Sequence, residues 1–145
     1  MPTVSRTMDV TASPDVVVPY LADFANAEEW DPGTVTCVRN GAGPVEVGAS
    51  WANTSKIAGV STDQTYTLDE LTSSRVVLVG RNDTATSTET IDVTPNGSGS
   101  TVVYTNELEF HGAAKLASPI AKVVFEKIGN DLVEQLTGVL NRLPA

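Results

Sequence analysis

Residues 113–143 read AAKLASPIAKVVFEKIGNDLVEQLTGVLNRL and place apolar side chains at Leu116, Ile120, Val123, Val124, Ile128, Leu132, Leu136, Val139, Leu140 and Leu143. Steps of three and four gather these on one side of a 3.6-residue repeat, with Lys115, Lys122, Glu126, Asp131, Glu134 and Asn141 elsewhere, so the spacing predicts one long amphipathic helix. At 1.5 Å per residue it would run about 40 Å, enough to cross a whole domain. A stripe of that length needs a surface that follows it. Pro119 closes off a first turn, and Gly129 in mid-helix marks close contact with the sheet.

The surface is found upstream. Between residues 34 and 111 the chain turns to strand-length runs rich in Val, Thr and Tyr: TVTCVRN (34–40), ASWANTSKI (49–57), STDQTYTLDEL (61–71), RVVLVGRN (75–82), ATSTETIDV (85–93) and TVVYTNELEF (101–110). Turn residues separate them, among them Gly41-Ala42-Gly43-Pro44, Thr72-Ser73-Ser74 and Pro95-Asn96-Gly97-Ser98-Gly99. Connections this short make hairpins, so successive strands pair antiparallel as a meander.

Ahead of them, residues 3–10 (TVSRTMDV) alternate with Val4, Met8 and Val10 on one face, interrupted by Arg6, as in a half-buried strand. Ser13-Pro14-Asp15 then offers an N-cap, a proline for the first helical position and an acid for the positive helix end. That helix carries Val17, Val18, Tyr20 and Leu21, with Pro19 inside it, and a second short turn covers Asn26–Trp30 before Asp31-Pro32-Gly33 stops it. Helices at the two ends of the strand block, rather than between strands, make the class α+β.

The 145 residues suit one domain. Eighteen acidic against nine basic residues give a net charge of −9, which repels phosphate backbones and argues against nucleic acid. No apolar run approaches the roughly 18 residues of a membrane span, and the opening Met1-Pro2-Thr3-Val4-Ser5-Arg6 does not read as a signal peptide, so a cytoplasmic location is expected. One cysteine and one histidine provide for neither an internal disulfide nor a Cys/His zinc cluster. No GxxxxGK[ST], GxGxxG, HExxH or GxSxG pattern occurs, so no cofactor is called for.

The order of elements, a strand, two short helices, six strands and a long helix, resembles the START-like, or helix-grip, superfamily. Thr11-Ala12-Ser13-Pro14-Asp15-Val16-Val17 is similar to the opening motif of its polyketide cyclase/dehydrase family. Trp30-Asp31-Pro32-Gly33-Thr34-Val35 is similar to that family's W-x-P segment, and Gly43-Pro44 followed by Gly48-Ala49-Ser50-Trp51 to its turn into the third strand. The resemblance implies a curved seven-stranded antiparallel sheet gripping the C-terminal helix, with two short helices after strand one and a ligand cavity between sheet and helix.

Alternation then assigns inward faces. These are Val102, Tyr104, Asn106, Leu108 and Phe110 on the last strand; Val35, Cys37 and Arg39 on the second; Ala49, Trp51, Asn53 and Ser55 on the third; and Thr62, Gln64, Tyr66 and Leu68 on the fourth. With Trp30 and the helix residues Leu116, Ile120 and Val124 they would wall a mainly apolar cavity carrying a few polar groups. That suits a partly oxygenated hydrophobic ligand. Each has a plainer reading: core burial for the aromatics, a solvated strand end for Arg39, a small buried apolar residue for Cys37, and an outward surface position for His111.

Two functions of different class follow. One is a binder of a lipid- or polyketide-like molecule. The other is a cyclase/dehydratase holding a poly-β-keto chain, with Arg39, Tyr66, Tyr104 and Asn106 as the available proton-transfer or oxyanion groups. The binder needs only a cavity and is favoured. A protein-interaction role is the third reading, and a monomer or weak homodimer is expected.

Overall fold

A computed structural model describes residues 3–57, 59–112 and 118–144, and of 118–122 the backbone alone. The elements follow in the order β1 (Thr3–Val10), α1 (Pro14–Ala22), a 3-10 turn (Phe24–Asn26), α2 (Ala27–Trp30), β2 (Thr34–Asn40), β3 (Ser50–Ile57), β4 (Val60–Leu71), β5 (Arg75–Arg81), β6 (Ala85–Asn96), β7 (Gly99–Phe110) and α3 (Ser118–Asn141). The strands form one curved antiparallel sheet ordered β1-β7-β6-β5-β4-β3-β2. Consecutive strands from β2 to β7 are neighbours, as the short turns predict. The first strand closes the far edge against β7, pairing Val4 with Asn106 and Met8 with Val102.

Two details depart from the expected boundaries. The β6–β7 hairpin is tighter than its Pro-Asn-Gly-Ser-Gly run suggests, because Asn96 pairs with Gly99 and only Gly97 and Ser98 form the loop. Gly97 supplies the positive φ of 61° such a turn needs. Pro95 is accommodated inside β6 because β5 pairs no further along β6 than Asp92, so its missing N–H lies past the end of that ladder. In β2 the register shifts between Thr34 and Thr36, leaving Val35 as the extra residue of a bulge.

Helix α3 lies against β1. Phe125, Leu132, Leu136, Val139 and Leu140 are buried along it, whereas Val123 lies off the stripe and is exposed. Gly129 lets the helix approach: a Cβ there would stand 2.6 Å from Val4 Cγ2. Beside it Arg6, the polar break in β1's apolar face, pairs with Glu126 at 2.8 Å and donates to Asn130 Oδ1 at 2.9 Å. Its guanidinium thus fastens the strand edge to the helix.

The core fills the other end of the sheet. Phe24 lies edge-on to Trp30 and Trp51 and 4.5 Å from the Tyr66 ring centre. Val17, Leu21, Leu68, Leu78, Ile91, Leu136 and Leu140 close around this cluster. Among the described residues, no helix is long and apolar enough to cross a membrane.

Candidate functional site

Above the aromatic cluster, the sheet and α3 enclose a cavity of about 420 Å³. Leu108 and Phe110 of β7 face Val124, Phe125, Ile128 and Leu132 of α3 across it. Ile57 and Val60 from the ends of β3 and β4 stand at its rim, where Val60 is 65% exposed. Toward the core the wall turns polar, with Asp31, Gln64, Tyr66, Ser87, Glu89, Tyr104 and Asn106.

The register explains this polar end. Glu89 on β6 lies opposite Asn106 on β7, with Ser87 opposite Leu108 and Ile91 opposite Tyr104. Ser87 Oγ donates to Asn106 Oδ1 at 3.0 Å, Asn106 Nδ2 donates to Tyr104 Oη at 3.2 Å, and Tyr104 Oη donates to Glu89 Oε1. Every donor in this chain points toward Glu89. The carboxyl is 1% exposed, and its Oε2 finds no partner among the described residues.

Burial, reinforced by the Asp31 carboxylate, pushes Glu89 up to about 8 against the Tyr104 and Tyr66 hydroxyls that lower it. Burial also raises Asp31, opposed by the Thr34 hydroxyl at 2.9 Å and the Gly33 amide at 3.1 Å. Tyr66 and Tyr104 are held well above the usual phenol range by burial and by Glu89, and so stay protonated. Gly80 positions Tyr66: the ring lies over it so closely that a Cβ would sit 2.5 Å from ring carbons.

Of the residues expected in the wall, Ser55, Thr62, Gln64, Tyr66, Tyr104, Asn106, Leu108, Phe110 and Val124 line the cavity. Val35 does not; the β2 bulge turns it outward, 55% exposed. Trp30 and Trp51 are fully buried in the core below, Trp30 edge-on to Tyr104 at 6.1 Å. Cys37 is buried there too, its thiol pushed up to about 12 by burial, and so it takes the plainer reading as a small core residue.

Asn53 is likewise outside the lining, because its amide is engaged with Thr34 and Ser55. Arg39 donates to the carbonyls of Gly43 and Pro44 at 3.3 Å and stacks 5.5 Å over Trp51, which occupies it at a strand end. Leu116 lies outside the described residues, as does the side chain of Ile120. His111 bonds Thr86 at 2.8 Å, away from the cavity.

Glu89 and Asp31 have no place among the residues expected from sequence. Yet β6 alternates Ala85, Ser87, Glu89, Ile91 and Val93 against Thr86, Thr88, Thr90 and Asp92. The first set holds every apolar residue of the run, so the parity applied to the other strands puts Glu89 inward.

A family profile described as "Polyketide cyclase / dehydrase and lipid transport" matches residues 1–143. No curated protein matches the chain. Among solved structures, the Zhui aromatase/cyclase from Streptomyces sp. R1128 superposes with a TM-score of 0.80 at 16% identity, covering 97% of this chain and 93% of that one. A START superfamily protein from Mycobacterium smegmatis gives 0.78 at 16%, covering 97% of both chains. A STAR-related lipid transfer protein fragment from Xanthomonas axonopodis gives 0.75 at 14%, covering 97% of this chain and 86% of that one. At these identities the likeness is one of fold.

Proposed function

We propose that this chain, which belongs to the polyketide cyclase/dehydrase and lipid transport family, binds a hydrophobic, partly oxygenated small molecule between its sheet and α3. The observation that carries the reading is the cavity itself. Its volume of about 420 Å³ falls in the range of ligand sites, roughly 300–1,000 Å³. Its wall combines an apolar majority with a few convergent polar groups, the pattern that holds a ligand by burial and orients it by placed hydrogen bonds. The lipid transfer protein from Xanthomonas axonopodis shares the fold and is consistent with such a role.

A second reading, a cyclase/dehydratase, is favoured by one specific feature. Glu89 beside Asp31, with Tyr66 and Tyr104 at hand, is a set of proton-bearing groups of which Glu89, Tyr66 and Tyr104 are buried, as general acid–base work requires. The aromatase/cyclase from Streptomyces sp. R1128 shares the fold as well.

Native mass spectrometry of the protein purified from its own host tests the first reading. An added mass of an apolar compound is expected on the wild type. It is expected to be missing from Leu108→Arg, which drives a charge into the apolar wall, once circular dichroism has established that this variant is folded. Wild-type protein that neither retains nor takes up any apolar compound, yet turns over a polyketone, would overturn the binder in favour of the enzyme.

A further inference from the structure

We propose, resting on the reading of the cavity as a ligand site, that Glu89 sets the chemical class of its ligand. The free Oε2 of Glu89 donates a hydrogen bond to a neutral acceptor, a ketone or similar carbonyl oxygen, and the site rejects a carboxylate of the same chain length.

Glu89 presents one carboxyl oxygen to the cavity without a hydrogen-bond partner among the described residues. Oε1 of Glu89 is already occupied by Tyr104, whose hydroxyl is in turn held by Asn106, itself held by Ser87. Of its two carboxyl oxygens Oε2 is the one without a partner among the described residues, on a side chain that is 1% exposed and lines the cavity. A buried polar atom without a partner is costly, so a ligand atom that completes it is favoured over one that does not. The proton locates the donor. With Tyr104 donating to Oε1, a neutral Glu89 carries its hydrogen on Oε2, and burial beside Asp31 keeps it neutral up to about pH 8.

The surrounding charges decide against an anion. The titratable groups around Glu89 are Asp31 from the turn before β2, Cys37 from β2, Tyr66 from β4 and Tyr104 from β7. From α3, among the described residues, Val124, Phe125, Ile128, Gly129 and Leu132 reach the cavity. Among the described residues no Arg, Lys or His lines it. A carboxylate ligand would add a negative charge to an acidic compartment in which the described residues supply no counter-cation. A primary ammonium can only donate, so it offers no acceptor to the protonated Oε2, and each oxygen of Asp31 already accepts one bond, from Thr34 or Gly33.

The test is calorimetric titration of the full chain with three probes of matched length, 2-tridecanone, dodecanoate and dodecylamine, at pH 6.5 and 9.5. One hydrogen bond is worth about tenfold in affinity. At pH 6.5 the ketone is expected to bind at least about tenfold more tightly than either charged probe. At pH 9.5, with Glu89 ionised and Tyr66 and Tyr104 still protonated, its affinity is expected to fall by about the same factor.

Glu89→Gln keeps a donor and is expected to hold the ketone at both pH values, whereas Glu89→Leu loses about tenfold at pH 6.5. If Glu89→Leu does not fold, the wild-type pH profile and the glutamine variant carry the test. Tightest binding of the amine, or a wild-type ketone affinity that does not change with pH, overturns the assignment of Glu89. Equal binding of all three probes overturns it too while leaving the cavity a ligand site. Binding of none refutes both.

Discussion

Glu89 stands on a strand face otherwise made of Ala85, Ser87, Ile91 and Val93, a position where a carboxyl is expensive unless it stays neutral. Its ionisation therefore opposes folding, and the sign can be worked out. Below pH 4.5, its ordinary value, the carboxyl is protonated in both states and costs nothing by charge. Between 4.5 and about 8 the unfolded chain ionises while the folded one does not. Unfolding then releases a proton, and stability falls by up to ~1.4 kcal/mol per pH unit before levelling above pH 8. Glu89→Gln removes the term. Thermal unfolding from pH 5 to 9 should show the wild type losing melting temperature relative to Glu89→Gln across that window; parallel curves would mean that Glu89 ionises as freely in the folded protein as in water.

At the scale of elements, close packing fixes how α3 and the sheet enclose the cavity. A Cβ on Gly129 would meet Val4 at 2.6 Å and the Arg6 guanidinium at 3.3 Å. Gly129→Ala should therefore lift the helix off β1 and destabilise the fold by about 1–3 kcal/mol, read as a lower urea midpoint with an unchanged slope. An unchanged midpoint would show that β1 yields without cost. Gly80→Ala meets the Tyr66 ring instead and should weaken ligand binding more than it weakens the fold, a split seen by pairing calorimetry with urea unfolding.

Gly129 was legible in the sequence, because a glycine within a strong helical stripe asks for a close neighbour. The strands were legible for a similar reason: period-two runs bounded by turn residues leave few other pairings. Val35 was not, since a bulge adds one residue and reverses parity without any local signature. For Arg39 the strand-end reading was available in the sequence, but its partners, the Gly43 and Pro44 carbonyls, were not, because they come from a loop whose path alternation does not specify.

For the molecule as a whole, the aromatic cluster fills one end of the sheet's inner face, and α3 covers the rest while leaving a cavity of about 420 Å³. The long apolar stripe of α3 made the helix grip readable. The enclosed volume was not readable, because it is a small difference between the large spaces occupied by sheet, helix and core. The polar end was half-readable: Tyr66, Tyr104 and Asn106 follow from parity, whereas Asp31 sits in a turn, where no periodicity applies.

If the space between sheet and α3 holds an apolar, oxygenated molecule, as proposed, a heteronuclear NMR titration of the isotope-labelled protein with 2-tridecanone at pH 6.5 will locate it there. Saturable shifts are expected at Gln64, Tyr66, Glu89, Asn106 and Leu108, with ligand-to-protein Overhauser contacts to Leu108 and Phe125. Shifts confined to the outer face of β6, at Thr86, Thr88 and Thr90, or no shifts at saturating ketone, would contradict it.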